Sequence, residues 1–183
     1  MPPFSLDVTT FNYPTKIIFG PGAIERLPIE IEAFKMSRPL VVTDAGLAQR
    51  PVFDRVLQII RKRCGDAVVF DQVLPNPTER NVLDGVARYQ EAKCDGVIGV
   101  GGGSPLDAAK AITLKATHPL SLADYDDLKD GSDRISSNVP PFLAVPTTSG
   151  TGSDVSRSSV ITLTATNRKT VIFSPFLMPK VSI

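Results

Sequence analysis

Residues 97–112 read VIGVGGGSPLDAAKAI: a short apolar run, three consecutive glycines, Ser-Pro, then a stretch of helical composition. Three of the chain's 13 glycines stand side by side there. Glycine is free to roam in the unfolded chain, so ordering three in succession costs entropy that nearby packing must offset. Between a strand and a helix, such a run implies a place where bare backbone is needed.

Outward from this stretch the chain alternates. FSLDVTTF and TKIIFG are β-like runs around Asn12-Tyr13-Pro14, and a weakly helical pattern follows over residues 23–35. PLVVTDAG is a short buried-strand run ending on Asp44 and Gly46. Residues 52–63 place Val52, Val56, Ile59 and Ile60 on one helical face. DAVVF reads as a strand and LPNPT as a rigid turn, its prolines excluding further strand pairing and Thr78 suited to cap a helix over 79–93. After the helix at 104–116 come a polar segment, 117–138, and the strand PFLAVP. Within the polar segment, residues 121–137 are expected to form a solvated surface loop.

Short apolar strands separated by helices predict an α/β fold. We expect a Rossmann-like, mostly parallel sheet flanked by helices, with an N-terminal segment resembling a β-hairpin. At 183 residues, 42% apolar, the chain is long enough for one domain with a real core. A net charge of +1 excludes a disordered acidic tail and a strongly basic nucleic-acid binder. No segment approaches the roughly 18 apolar residues of a membrane span. MPPFSLDVTTF carries neither a basic region nor a long apolar core, so Cys64 and Cys94 are expected as reduced thiols and the compartment as the cytoplasm.

In an open α/β sheet, ligands bind beyond the carboxyl ends of the strands, where helix N-termini offer free N–H groups to anions. Gly101, Gly102 and Gly103 occupy such a junction, with Ser104 suited to the N-cap, Pro105 to the first helical position and Asp107 to a capping box. A diphosphate suits this turn; a tight strand-to-helix connection capped by Asp107 explains the same residues equally well. VPTTSGTGSD, residues 145–154, adds hydroxyls and glycines after another strand, fit to close over phosphate and ribose oxygens or simply to be a hydrated loop. Asp44, at a strand end, is placed either to accept from two ribose hydroxyls, repelling a 2′-phosphate, or to cap the turn at Ala45-Gly46.

GPGAIERL, VVTD, PNPT, DGVIGVGGGSPLDAAKAI and VPTTSGTGSD, in this order, resemble the N-terminal half of the iron-containing alcohol dehydrogenases. The resemblance spans essentially the whole chain. It implies a dinucleotide-binding domain over residues 1–183, preceding a helical metal-binding domain absent from this chain. It also implies that Asp44 reads the adenosine ribose and Asn76 lines the cofactor cleft. Gly101, Gly102, Gly103 and Ser104 would form the pyrophosphate loop, with Asp107 in its helix. Thr147, Thr148 and Ser153 match the second cofactor loop, Val155 the nicotinamide side, and Lys169 the lysine that reaches the cofactor.

VSRSS, residues 155–159, departs from the small and apolar residues of many members, and Arg157 there points either to a charged substrate or outward to water. The family's metal is held by one aspartate and three histidines. The single histidine here, His118, precedes a proline and is expected at the surface.

The expected function is therefore the NAD-binding half of a metal-dependent alcohol dehydrogenase, NADP being less favoured by Asp44. Fe2+ or Zn2+ would enter only with the helical domain, and the isolated chain would be inactive. The partners expected are a small alcohol or aldehyde and further copies of the chain in a homo-oligomer, with no nucleic acid and no membrane. The alternatives are a related polyol dehydrogenase or reductase, and a non-catalytic nucleotide-binding module.

Overall fold

The structure, a computed structural model, describes residues 9–65 and 67–183. Strands β1 (Thr9–Tyr13) and β2 (Thr15–Phe19) form the antiparallel hairpin, with Asn12 and Tyr13 inside the first strand and the turn at Pro14. Residues 4–8 of the run expected there lie outside the described residues. The weak helix at 23–35 is two pieces, a 3-10 turn (Ala23–Arg26) and α1 (Leu27–Ala33). Pro28 sits in the first turn of α1, where its missing N–H costs nothing.

Then follow β3 (Pro39–Val42), the short α2 (Ala45–Ala48), α3 (Pro51–Cys64) and β4 (Val68–Phe70). Next come α4 (Glu79–Glu91), β5 (Gly96–Gly101), α5 (Gly103–Lys115) and β6 (Phe142–Pro146). The chain closes with the hairpin β7 (Ser158–Leu163) and β8 (Arg168–Phe173), and then β9 (Val181–Ser182). As expected, Thr78 caps α4, its hydroxyl accepting from the Asn81 N–H at 3.3 Å.

Among the described residues the main sheet runs β1-β2-β9-β6-β5-β3-β4, every neighbouring pair parallel except β1 with β2. Both faces are covered, so each central strand is apolar at successive positions. Leu40, Val42, Val97, Phe142 and Ala144 pack toward α4, α5 and the β7–β8 hairpin. Val41, Ile98, Val100, Leu143 and Val145 pack toward α1 and α3. This two-sided burial explains why the strands read as continuous apolar runs rather than alternating ones. On α3, Val56, Ile59 and Ile60 are buried as expected, but Val52 is exposed at the mouth of a surface cavity.

Chain order fixes where the site lies. From β3 the chain steps outward to β4, then crosses back to β5 on the other side of β3 and continues through β6. The direction of winding reverses between β3 and β5, and a crevice opens at the carboxyl ends of strands at such a reversal. Asp44 follows β3 and the glycines end β5.

Three expectations are corrected. Helix α5 begins at Gly103 with Gly102 as N-cap, so Ser104 does not cap it and Pro105 is not its first residue. The Ser104 hydroxyl instead accepts from the Asn76 N–H, and the Asp107 carboxylate accepts from the Val160 N–H of β7, tertiary partners that no local pattern announces. Residues 121–137 are not a solvated loop: three 3-10 turns pack Leu122, Tyr125 and Ile135 into the core, and Asp126, itself buried, accepts from the Arg168 guanidinium. His118 is buried rather than at the surface. Its Nε2 accepts from the Ser136 N–H at 3.0 Å, and its ring meets Tyr125 edge-on.

Candidate functional site

Gly101 leaves β5 with φ 143°, a backbone that side chains rarely adopt, and its carbonyl accepts the Thr147 N–H at 2.9 Å. This bond sets the second polar loop beside the first. A Cβ on Gly102 would lie 3.2 Å from Thr148 Oγ1, and one on Gly103 would lie 3.5 Å from Ser153 Oγ. The first intrahelical bond of α5 is from the Leu106 N–H to the Gly102 carbonyl, so the amides of Gly103 and Ser104 precede it. At the head of a 13-residue helix, such amides carry the partial positive charge that attracts anions.

Two cavities share this turn. One, of about 570 Å3, runs from Asp44 past Leu74 and Pro75 to Gly102, Gly103, Thr147 and Thr148. The other, of about 260 Å3, continues from Gly103 and Ser104 to Asn76, Asp107, Ser153, Thr162 and Lys169. Asp44 caps α2, its Oδ1 accepting from the Leu47 N–H at 2.9 Å, so the local role and a place in the crevice wall coexist. Asn76 adopts a left-handed φ of 56° and accepts from Lys169 Nζ at 2.7 Å. This contact joins the proline turn to β8 across 93 residues of sequence.

The site residues named from sequence thus converge, except that Gly101, whose carbonyl holds Thr147, and Val155 line neither cavity. Val155 closes the loop through its N–H to the Gly152 carbonyl. Arg157 lies outside both as well, its guanidinium 4.3 Å above the Phe173 ring. A third cavity, of about 510 Å3, lies on the far side of Thr147 and is lined by Leu47, Val52, Phe53, Val100 and Val145. Its apolar wall suits neither a diphosphate nor a ribose.

Sequence reasoning passed over Lys110. Its side chain is fully buried between α5 and the segment entering β7, with Nζ donating to Ser156 Oγ (3.1 Å) and the Ser158 carbonyl (2.9 Å). Asp107 Oδ1 is 4.0 Å away and has no hydrogen-bond partner. Burial pulls Lys110 down to about 8, against the charges of Asp107 and Asp154. Burial likewise raises Asp107, against the charge of Lys110 and the Val160 N–H. Both partners shift toward neutrality although they attract, so desolvation outweighs attraction on each side. The signal was available: a lysine inside the otherwise apolar run LDAAKAITL marks a helix face that meets protein and not water.

The model of the family described as iron-containing alcohol dehydrogenase matches residues 14–183. The chain belongs to this family. The 4-hydroxybutyrate dehydrogenase of Cupriavidus necator is 42% identical over 171 residues, 93% of this chain and 44% of that protein. A crystal structure of 1,3-propanediol oxidoreductase superposes with a TM-score of 0.85 at 38% identity, covering 98% of this chain and 45% of that one. The sulfoacetaldehyde reductase of Bifidobacterium kashiwanohense in complex with NAD+ superposes at 0.83 with 28% identity, covering 98% and 46%. The chain spans less than half the length of these relatives.

Among the described residues no group of three or more His, Cys, Asp or Glu is arranged to hold a metal ion. His118 is committed to Ser136 and Thr117 and lines neither crevice cavity. The residues present therefore do not fit the family's metal, whereas the glycine turn fits a dinucleotide. No described helix is long and apolar enough to cross a membrane.

Proposed function

We propose that this chain is the NAD(H)-binding half of a metal-dependent alcohol dehydrogenase. The observation that carries the reading is the paired cavity at the β3/β5 reversal, where side-chain-free backbone at Gly102 and Gly103 lies between Asp44 at one end and Asn76, Asp107 and Lys169 at the other. In this reading the diphosphate lies against the amides opening α5, and Asp44 accepts from the adenosine ribose and turns away a 2′-phosphate. Thr147, Thr148 and Ser153 close over the same ligand with their hydroxyls, while Asn76 and Lys169 meet its far end. Val155 keeps its place at the nicotinamide side only if the loop shifts on binding.

A bound nicotinamide dinucleotide supplies hydride exchange with the carbon of a small alcohol or aldehyde. The chain's own contribution is to bind and orient that cofactor. Metal ligands would fall to a helical domain outside residues 1–183. Assembly as a homo-oligomer belongs to the same reading, as does a cytoplasmic setting, for which the two free thiols speak. A polyol dehydrogenase or reductase of the same family would use this half unchanged.

The test is a titration of the 183-residue chain with NADH, followed by nicotinamide fluorescence, alongside NADPH and adenosine. NADH binding well above both is the expected result. Equal, weak binding of all three overturns the reading. With ferrous or zinc ion and a panel of small alcohols, NADH absorbance should stay flat; metal-dependent turnover would place catalysis within this chain.

A further inference from the structure

We propose that Lys110 is a positioning residue for the dinucleotide: gripped by Ser156 and Ser158, it holds Asp107 as an oriented carboxylate in the wall of the cavity shared with Asn76 and Lys169. The inference rests on the nucleotide reading above and adds to it a residue that touches no ligand. An ammonium with no exposure is expensive to bury, and an apolar residue of similar length is often at least as stable in such a place. Stability alone therefore gives no reason for a lysine here.

The geometry gives one. Asp107 enters the cavity wall from the second turn of α5, and its Oδ2 accepts from the Val160 N–H at 3.2 Å. Its other oxygen is buried and unpartnered, with Lys110 Nζ as the cation facing it at 4.0 Å. Without that charge, burial would push this carboxyl further toward its neutral form. As a carboxylate it accepts from cofactor hydroxyl or amide groups; as an acid it presents a proton to them instead. The two bonds from Nζ also tie α5 to the segment entering β7, so the same side chain fixes the distance between the helix carrying Asp107 and the strand carrying Val160.

The charged groups facing Lys110 are Asp107 from its own helix and Asp154 from the 147–157 loop, while Ser156 and Ser158 do not titrate. Replacing Lys110 by Met removes the cation that opposes the burial of Asp107, so Asp107 titrates higher than before. NADH affinity of Lys110→Met is then low in mildly acidic solution and recovers as pH rises, while the wild type stays flat across that acidic range, below the loss of the Lys110 proton near 8. One unit of displacement corresponds to about a tenfold loss at the acidic end. In Lys110→Met/Asp107→Asn the pH dependence disappears, because the titrating group is gone.

The experiment is a set of NADH titrations of the 183-residue chain between pH 5.5 and 8.5, with wild type, both single variants and the double variant. A loss that is equal at every pH, or no loss, overturns the positioning role and leaves the nucleotide reading standing. A wild type that binds no NADH overturns the nucleotide reading itself. Should Lys110→Met fail to fold, carbon-13 carboxyl NMR of the wild type decides: the Asp107 signal shows its own titration plus a second, smaller inflection near 8, where Lys110 loses its proton. A single inflection overturns the proposal.

Discussion

The glycine turn faces the crevice with backbone and almost no side chain, whereas the far wall, at Asn76, Asp107 and Lys169, offers charged and polar side chains. The first wall works by what is missing from it. Its tolerance is steric, and any added atom competes with the ligand for the same space. The second works by what is present, so its contributions are graded and respond to pH and salt. Two walls of one site should therefore fail in different ways when changed.

The largest effect is expected at Gly102. Its φ of −81° is open to any residue, unlike the 143° of Gly101, so Gly102→Val leaves the fold intact while its branched methyls fill the cradle beside Thr148 Oγ1. NADH affinity should fall by more than about 100-fold, roughly 3 kcal/mol, with no dependence on ionic strength. Circular dichroism checks the fold and fluorescence titration the binding. A folded variant that binds within a few-fold of wild type would reduce the glycines to a turn and erase the contrast between the walls.

That contrast also marks what the sequence made legible. Bare backbone announces itself, because three adjacent glycines between an apolar run and a helix have few other uses, and the strands on either side are continuous runs of Val, Ile and Leu. The side-chain wall was legible only in pieces. Asp107 is legible as a cap of its own helix and as a member of the cofactor loop, but its partner is not, since the Val160 N–H that occupies it comes from a strand 53 residues away. Lys110 was passed over for the same reason, as its partners Ser156 and Ser158 lie beyond the 117–138 segment. That segment misled in turn: its Asp, Ser and Lys content reads as solvated, yet Tyr125 and Leu122 anchor it in the core and Asp126 is held by Arg168 from β8. Local patterns carry elements and turns, while polar residues take their roles from whichever distant strand packs on them.

Asp44 tests the crevice at its opposite end. A carboxylate there favours NADH over NADPH, and Asp44→Gly should narrow the preference by about tenfold, chiefly by tightening NADPH, because the repulsion of a 2′-phosphate is what is removed. Loss of the bond from the Leu47 N–H costs only about a few tenths of a kcal/mol of stability, because glycine is itself tolerated as the α2 cap. Thermal denaturation separates this from binding. Equal wild-type affinity for the two cofactors would leave Asp44 as a cap only.

The smallest effect is expected at Lys169, and it sharpens the comparison most, because its sign of success is a salt dependence and not a size. Lys169 lies exposed on β8, with Nζ bonded to Asn76 Oδ1 at 2.7 Å. An exposed ammonium at a cavity mouth gains little from a nearby anion, about 0.2–1 kcal/mol, or up to about fivefold in affinity. Lys169→Ala should therefore weaken NADH by a few-fold in low salt and by almost nothing at 0.5 M, where charges about a Debye length apart no longer feel each other. Lys169→Arg keeps the charge but not the compact bond to Asn76, so it should retain the salt dependence with a small loss at all ionic strengths. A Lys169→Ala loss of the same size in low and high salt would mean that Lys169 acts through Asn76, by holding the proline turn in its left-handed bend. The side-chain wall would then be steric after all, like the glycine turn opposite it.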